Sequence, residues 1–210
     1  VLVAWMVTDA VNTFTWPTGF SAVTGTPIQV NFDGQSLGAA IKIAGGSEPA
    51  TYTLTSTGAG IGGIAAFSGG VATQPHRSSA TSNNTGNASP WSMTSAAFGS
   101  TTSVSCDLVV IAGSDTNTSG NVTHAAPGGY TLQADITDGA FEQGMLATKN
   151  DVASGETGVL VATGTQATAS AAWAIFAIAI ELSAGAFDLA TMPAMTGFTA
   201  TGRMIGRQDV

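Results

Sequence analysis

The chain has 210 residues, of which 44% are apolar and only 9% charged, and it carries a net charge of −8. Soluble domains ordinarily carry ~25% charged residues. Here Thr, Ser, Ala and Gly stand in their place, so the surface stays wet through hydroxyls and backbone. The basic residues, Lys42, Lys149, Arg77, Arg203 and Arg207, are too sparse to neutralise phosphates, which excludes a nucleic-acid groove and an anionic membrane surface as partners.

The apolar content also excludes a disordered chain. Cys106 is the sole cysteine, so no internal disulfide forms, and the expectation for it is a buried, inert thiol. The longest purely apolar run, residues 171–180, is half of the ~20 residues a membrane helix needs. No basic leader of a signal peptide is expected.

In chain order, residues 1–8 form a strand apolar on both sides and therefore central. Residues 13–16 alternate briefly, and Pro17-Thr18-Gly19 ends them. Ile28, Val30 and Phe32 share one face of a strand, Asp33-Gly34 supplies a hairpin turn, and residues 37–44 return. After the turn 45–49, Tyr52 and Leu54 alternate with Thr51, Thr53 and Thr55, a strand with one wet face. Gly60, Gly62 and Gly63 disfavour a helix over 60–67, leaving a strand with close backbone approach. Residues 78–89 are nearly all Ser, Thr, Asn, Ala and Gly and are expected to be a long surface loop. Trp91 and Met93 restart an alternating segment. Strands follow at 107–113, 130–136 and 143–149, and then around Val159 and Val161, with a polar loop over 114–120. In the last strand, 172–182, Phe176, Ile178, Ile180 and Leu182 face one way, and Trp173, Ile175, Ala177, Ala179 and Glu181 the other.

The strands recur in order. Asp9 matches Asp115 (115 − 9 = 106), Pro17 matches Pro127 (127 − 17 = 110), and Lys42 matches Lys149 (149 − 42 = 107). Glu48 matches Glu156 (156 − 48 = 108), and 60–69 resembles 174–184. Offsets that drift by a few residues are what loop insertions between duplicated strands produce. The chain is therefore expected to be one all-β domain: a two-sheet antiparallel β-sandwich over residues 1–186. Its pseudo-repeats are 1–70 and 107–185, joined by a loop over 71–106. The arm 187–210 carries Met192, Met195, Phe198, Arg203, Met204, Ile205 and Arg207. It is read either as a strand docked on its own domain or as an interface with a neighbouring subunit.

No motif names a reaction. Gly34-Gln35-Ser36-Leu37-Gly38 has the form of a nucleophile elbow, but a strand rather than a helix follows Ser36. His76 and His124 stand at no convincing spacing from an Asp. Gly58-Ala59-Gly60-Ile61-Gly62-Gly63 lacks the helix that would hold a pyrophosphate. The two histidines and one cysteine fit no zinc spacing. Asp9, Asp33, Asp115, Asp135 and Asp138 are expected at turns, where calcium ligation is the lesser reading. Trp16, Trp91 and Tyr130 are candidate platforms for stacking on sugars, with core anchoring the commoner fate of such rings.

Several segments together resemble the jelly-roll-like β-sandwich modules of bacteriophage virion proteins, of the tail-fibre and head-decoration types. They are Val1-Leu2-Val3-Ala4, Pro17-Thr18-Gly19-Phe20, Lys42-Ile43-Ala44-Gly45-Gly46-Ser47-Glu48-Pro49 and the closing strand 172–182. The resemblance covers most of residues 1–185. It implies a non-enzymatic structural protein of an extracellular virion, a decoration, cement or fibre component without a cofactor. Its implied partners are other capsid or tail proteins and further copies of itself, a trimer being favoured. A carbohydrate-binding module for host-surface glycans is the alternative.

Overall fold

The computed structural model describes residues 1–9, 13–23, 26–29, 35–70, 76–96, 106–116, 122–138, 141–152, 160–166, 170–181 and 202–205. Seven strands make up the first half: β1 (Leu2–Thr8), β2 (Phe14–Thr15), β3 (Ser21–Ala22), β4 (Ile28–Gln29), β5 (Ser36–Lys42), β6 (Thr55–Ser56) and β7 (Gly60–Ala66). Between the halves run β8 (His76–Ala88) and β9 (Trp91–Thr94). The second half holds β10 (Cys106–Thr116), β11 (Thr123–Ala125), β12 (Thr131–Thr137), β13 (Glu142–Val152), β14 (Val161–Thr165) and β15 (Ser170–Glu181), and β16 (Gly202–Ile205) comes last.

One large sheet has the order β16-β7-β1-β5-β3, with β4 also on β5, and the other has the order β12-β13-β10-β15-β8. All pairings are antiparallel except β16 on β7. Each large sheet is thus built around one half of the chain, and the central strand is β1 in one and β10 in the other. The duplication is visible in the registers. Leu2 faces Lys42 as Leu108 faces Lys149, with offsets of 106 and 107. Thr8 faces Gly60 as Ser114 faces Trp173, so β7 corresponds to β15 at an offset of 113 (173 − 60). The sequence match that starts by setting Gly60 on Ala174 (174 − 60 = 114) was therefore one residue out of step along β7. Such a slip exchanges the two faces of a strand, because side chains alternate with period two.

That alternation makes three cores out of two sheets. Val3, Trp5 and Val7 point inward against Val109, Ile111, Phe176, Ile178 and Ile180. Leu2, Ala4 and Met6 point outward beneath Tyr52, Leu54, Phe14, Trp16 and Phe20. On the far side, Leu108, Val110, Ala112, Ile175 and Ala177 point outward beneath Trp91, Met93 and Val122. The outer layers are themselves β: β2-β6 over the first sheet and β11-β14-β9 over the second. Apolar faces on both sides follow from burial on both sides, and each fully buried Leu, Ile or Phe contributes roughly 2 kcal/mol. Gly113 and Gly144 lie opposite each other on β10 and β13. A Cβ on Gly144 would sit 2.6 Å from Cζ3 of Trp5, and one on Gly113 would sit 2.8 Å from Cγ2 of Val7. The two glycines make the recess that receives these side chains.

The matched turns agree in detail. The Phe20 N–H donates to the Pro17 carbonyl at 3.1 Å and the Tyr130 N–H to the Pro127 carbonyl at 3.0 Å. Gly19 and Gly129 take φ of +87° and +82°, which L side chains avoid. Two expectations are corrected. Residues 76–88, expected to be a loop, form an edge strand on β15, because β15 otherwise lacks a partner on that side and a backbone ladder needs no apolar side chains. Asp115 and Asp135 lie within β10 and β12 rather than in turns. The Asp33-Gly34 turn, Val159, Glu156 and most of the 114–120 loop lie outside the described residues.

Candidate functional site

The outer face of β10 carries Leu108, Val110 and Ala112, and its next outward position is Ser114, a hydroxyl in an apolar row. Its Oγ lies 3.1 Å from Nε2 of His124 on β11, and Nδ1 of His124 lies 2.6 Å from Oδ1 of Asp135 on β12. The His124 backbone N–H donates to Oδ2 of the same carboxylate at 3.0 Å. Trp91 of β9 donates its Nε1–H to Ser114 Oγ at 3.3 Å. An ionised carboxylate only accepts, so Nδ1 carries the imidazole proton and Nε2 accepts the seryl proton. The order Ser–His–Asp, with each group orienting the next, is the arrangement of an activated nucleophile. Sequence reasoning missed it, since the spacing of eleven residues from His124 to Asp135 is meaningful only once β11 and β12 are placed side by side. The one available signal was Ser114 itself, polar at a position where the alternation demanded an apolar residue.

Access decides what this constellation can do. Ser114 is 0% exposed and His124 3%. Ser114 is hydrogen-bonded into a continuous ladder with β13 and β15 on either side and is covered by Trp91 and Met93, whose sulfur lies 3.6 Å from the hydroxyl. An acyl substrate needs a reacting atom about 3 Å from both the nucleophile and the oxyanion donors, and that volume is filled. A small cleft does open between the two large sheets, but Ala65, Phe67, Gln133, Leu146 and Thr148 line it, away from Ser114. As built, the network ties the outer layer to β10 by hydrogen bonds between neutral groups, each worth roughly 0.5–1.5 kcal/mol, and to the Asp135 carboxylate on β12 by charge-assisted ones, each worth roughly 1.5–3 kcal/mol.

The first half differs at the matching places. Phe14 stands where His124 does and Thr8 where Ser114 does (124 − 14 = 110; 114 − 8 = 106). Phe14 and Trp16, with ring centroids 5.5 Å apart, lie over Gly38. Apolar stacking here replaces the polar network of the second half.

Carboxylates gather at one end of the sandwich. Asp115 and Glu142 oppose each other on β10 and β13 and are both buried. Burial, followed by the hydrogen bond and charge of Asp138 and the charge of Asp9, pushes the Glu142 carboxyl up to about 8. Nearby, the fully buried side-chain amide of Gln35 has no hydrogen-bond partner among the described residues. Among the described residues no three His, Cys, Asp or Glu side chains converge as a metal site. Elsewhere Lys42 bridges Glu48 at 2.6 Å and the Tyr52 hydroxyl at 2.9 Å. Burial raises the Glu48 carboxyl, but the bonds from Lys42 and the Gly45 N–H outweigh it and hold it below its usual range. Lys149 repeats the arrangement in part, 6.0 Å above the ring of Tyr130.

The sequence candidates do not form one site. Trp91 is 2% exposed and bonded inward, so it offers no face to a sugar. Half-buried Trp16 packs on Phe14 in the opposite outer layer, and half-buried Tyr130 lies under Lys149. Ser36 is buried at the start of β5, which continues as strand to Lys42. Cys106 is a buried free thiol. Arg203, Met204 and Ile205 belong to β16, whose backbone pairs in parallel with Gly63, Ile64 and Ala65 of β7, while Met192, Met195, Phe198 and Arg207 lie outside the described residues. The fold and these sites define an all-β sandwich of two duplicated halves, each with its own outer layer. Comparison with protein-family models, with curated proteins and with solved structures finds no match.

Proposed function

We propose that the chain is a non-enzymatic structural component of a bacteriophage particle, a decoration, cement or fibre protein that works through contacts with its own copies and with other virion proteins. The observation that carries this reading is the sealed state of Ser114. The side chains best arranged for chemistry are spent on holding layers together beneath Trp91. Support also comes from the sparse charge and the Ser/Thr-rich sequence. A further support is the edge strand β8, whose backbone pairs with β15 on one side. Such an edge is a template for association between chains.

Light scattering at micromolar concentration, with co-sedimentation on purified particles, tests the proposal. Self-association or particle binding is the expected result. A monomer that ignores particles would overturn it, as would turnover of a small aryl ester that disappears in Ser114→Ala.

A further inference from the structure

The apolar layer between the two large sheets ends in polar groups that the duplication supplies twice. Val7 faces Leu37 on the first sheet and Gly113 faces Gly144 on the second, and the Val7 side chain fills the space over both glycines. Two residues further along each strand the same face comes round again. There the first sheet brings Asp9 and Gln35, one step past Thr8 and Ser36, and the second brings Asp115 opposite Glu142. The two pairs correspond. Asp9 matches Asp115 at an offset of 106 (115 − 9) and Gln35 matches Glu142 at 107 (142 − 35), the offsets already seen at Leu2 and Lys42.

The Gln35 amide points into this layer, since its Nε2 lies 3.1 Å from where a Cβ on Gly113 would sit, one inward position before Asp115. It is fully buried, and neither its Oε1 nor its Nε2 has a hydrogen-bond partner among the described residues. Buried polar side chains are ordinarily satisfied, and an amide open at both ends calls for a missing partner. Asp115 and Glu142 are buried beside it. Asp138 hydrogen-bonds Glu142, and Asp9 lies near enough for its charge to act on the same carboxyl, so acids gather here from both sheets. The lysines stand elsewhere: Lys42 faces Leu2 and Lys149 faces Leu108, at the opposite ends of β5 and β13.

We propose that Gln35, Asp115 and Glu142 form a calcium site between the two sheets, with Asp9 and Asp138 at its mouth. Carboxylate and amide oxygens are the ligands a hard cation takes, whereas zinc would call for His or Cys. Two buried carboxylates and one amide are not three convergent acids, but Ca²⁺ completes its shell of about six to eight oxygens with backbone carbonyls and water. The amide meets the ion through Oε1, which leaves Nε2 to donate to a carboxylate. Half-buried Asp9 and exposed Asp138 give the ion a charged route from solvent. Once bound, it ties the ends of β1 and β5 to those of β10 and β13, where the apolar layer gives out.

The probe is Ca²⁺ itself, titrated by calorimetry into the full chain stripped with EDTA, with Tb³⁺ as a luminescent stand-in. Trp5, whose ring lies against Gly144, is placed to sensitise terbium. The expected results are one Ca²⁺ per chain at a Kd of roughly 10⁻⁴–10⁻³ M and terbium emission on tryptophan excitation. Asp115→Asn and Gln35→Met, the latter keeping the length of the side chain, should each bind at least about tenfold more weakly. Glu48→Gln removes an acid beside Lys42, at the other end of the sandwich, and should bind as the wild type does. No saturable binding up to about 10 mM would overturn the site, as would unchanged affinity in either folded variant. Equal weakening by Glu48→Gln would also overturn it, because binding would then be diffuse attraction to an acidic chain. Should Asp115→Asn fail to fold, Gln35→Met carries the test alone.

Discussion

Replacing Glu142 with Gln keeps the shape of the protonated acid and removes its charge, so it isolates one proton's effect on stability. The carboxyl is raised from 4.5 to about 8 in the fold by burial and by Asp138 and Asp9. A folded state that holds its proton more tightly than the unfolded chain loses stability as pH rises. The contribution is fully present below about 4.5, falls through the window from 4.5 to about 8, and is flat above. At ~1.4 kcal/mol per unit the unscreened loss would approach about 5 kcal/mol. Asp138 is exposed, and water reaching this end of the sandwich reduces the loss to about 2 kcal/mol. With a urea slope near ~2–3 kcal/mol per molar, the midpoint of Glu142→Gln should gain about 0.7–1 M on the wild type between pH 5 and pH 8.5. Urea titrations of both proteins at several pH values give the difference curve, in which the other carboxylates cancel. A difference that stays constant, or that shrinks as pH rises, would refute the assignment of a shared proton to this end of the fold.

Two other substitutions probe the layers. His124→Ala removes the centre of the buried network, leaves the Ser114 hydroxyl without its imidazole acceptor and Asp135 Oδ1 without its imidazole donor, and should cost about 2–4 kcal/mol in chemical denaturation. Gly144→Ala places a methyl 2.6 Å from the fully buried Trp5 ring. Overpacking of this kind should cost about 1–3 kcal/mol and blue- or red-shift the tryptophan emission; an unchanged midpoint would mean that the two large sheets are not in contact at Trp5.

How much of this was legible beforehand depends on the range over which each feature is decided. Strand identity is local, so β1, β5, β7, β10, β13 and β15 could be recognised from apolar residues at period one or two, and the two turns at Gly19 and Gly129 from their Pro and Gly. The duplication was readable because the order of strands survives insertions, although a single-residue slip at β7 and β15 escaped notice. Strand β8 escaped too, since its Ser, Thr and Asn side chains carry no apolar pattern and its existence depends on the vacant edge of β15.

The amino-acid order by itself determined the class of fold, the central place of β1 and β10 and the absence of charge to steer a polyanion. Those follow from side-chain period and composition, which need no neighbours. Only the tertiary structure decided that Ser114, His124 and Asp135 meet, that Trp91 closes over them, and that Asp115 lies against Glu142 instead of in a turn. Each of those contacts joins residues on different strands, and strand neighbours are chosen by register and layer packing rather than by distance along the chain.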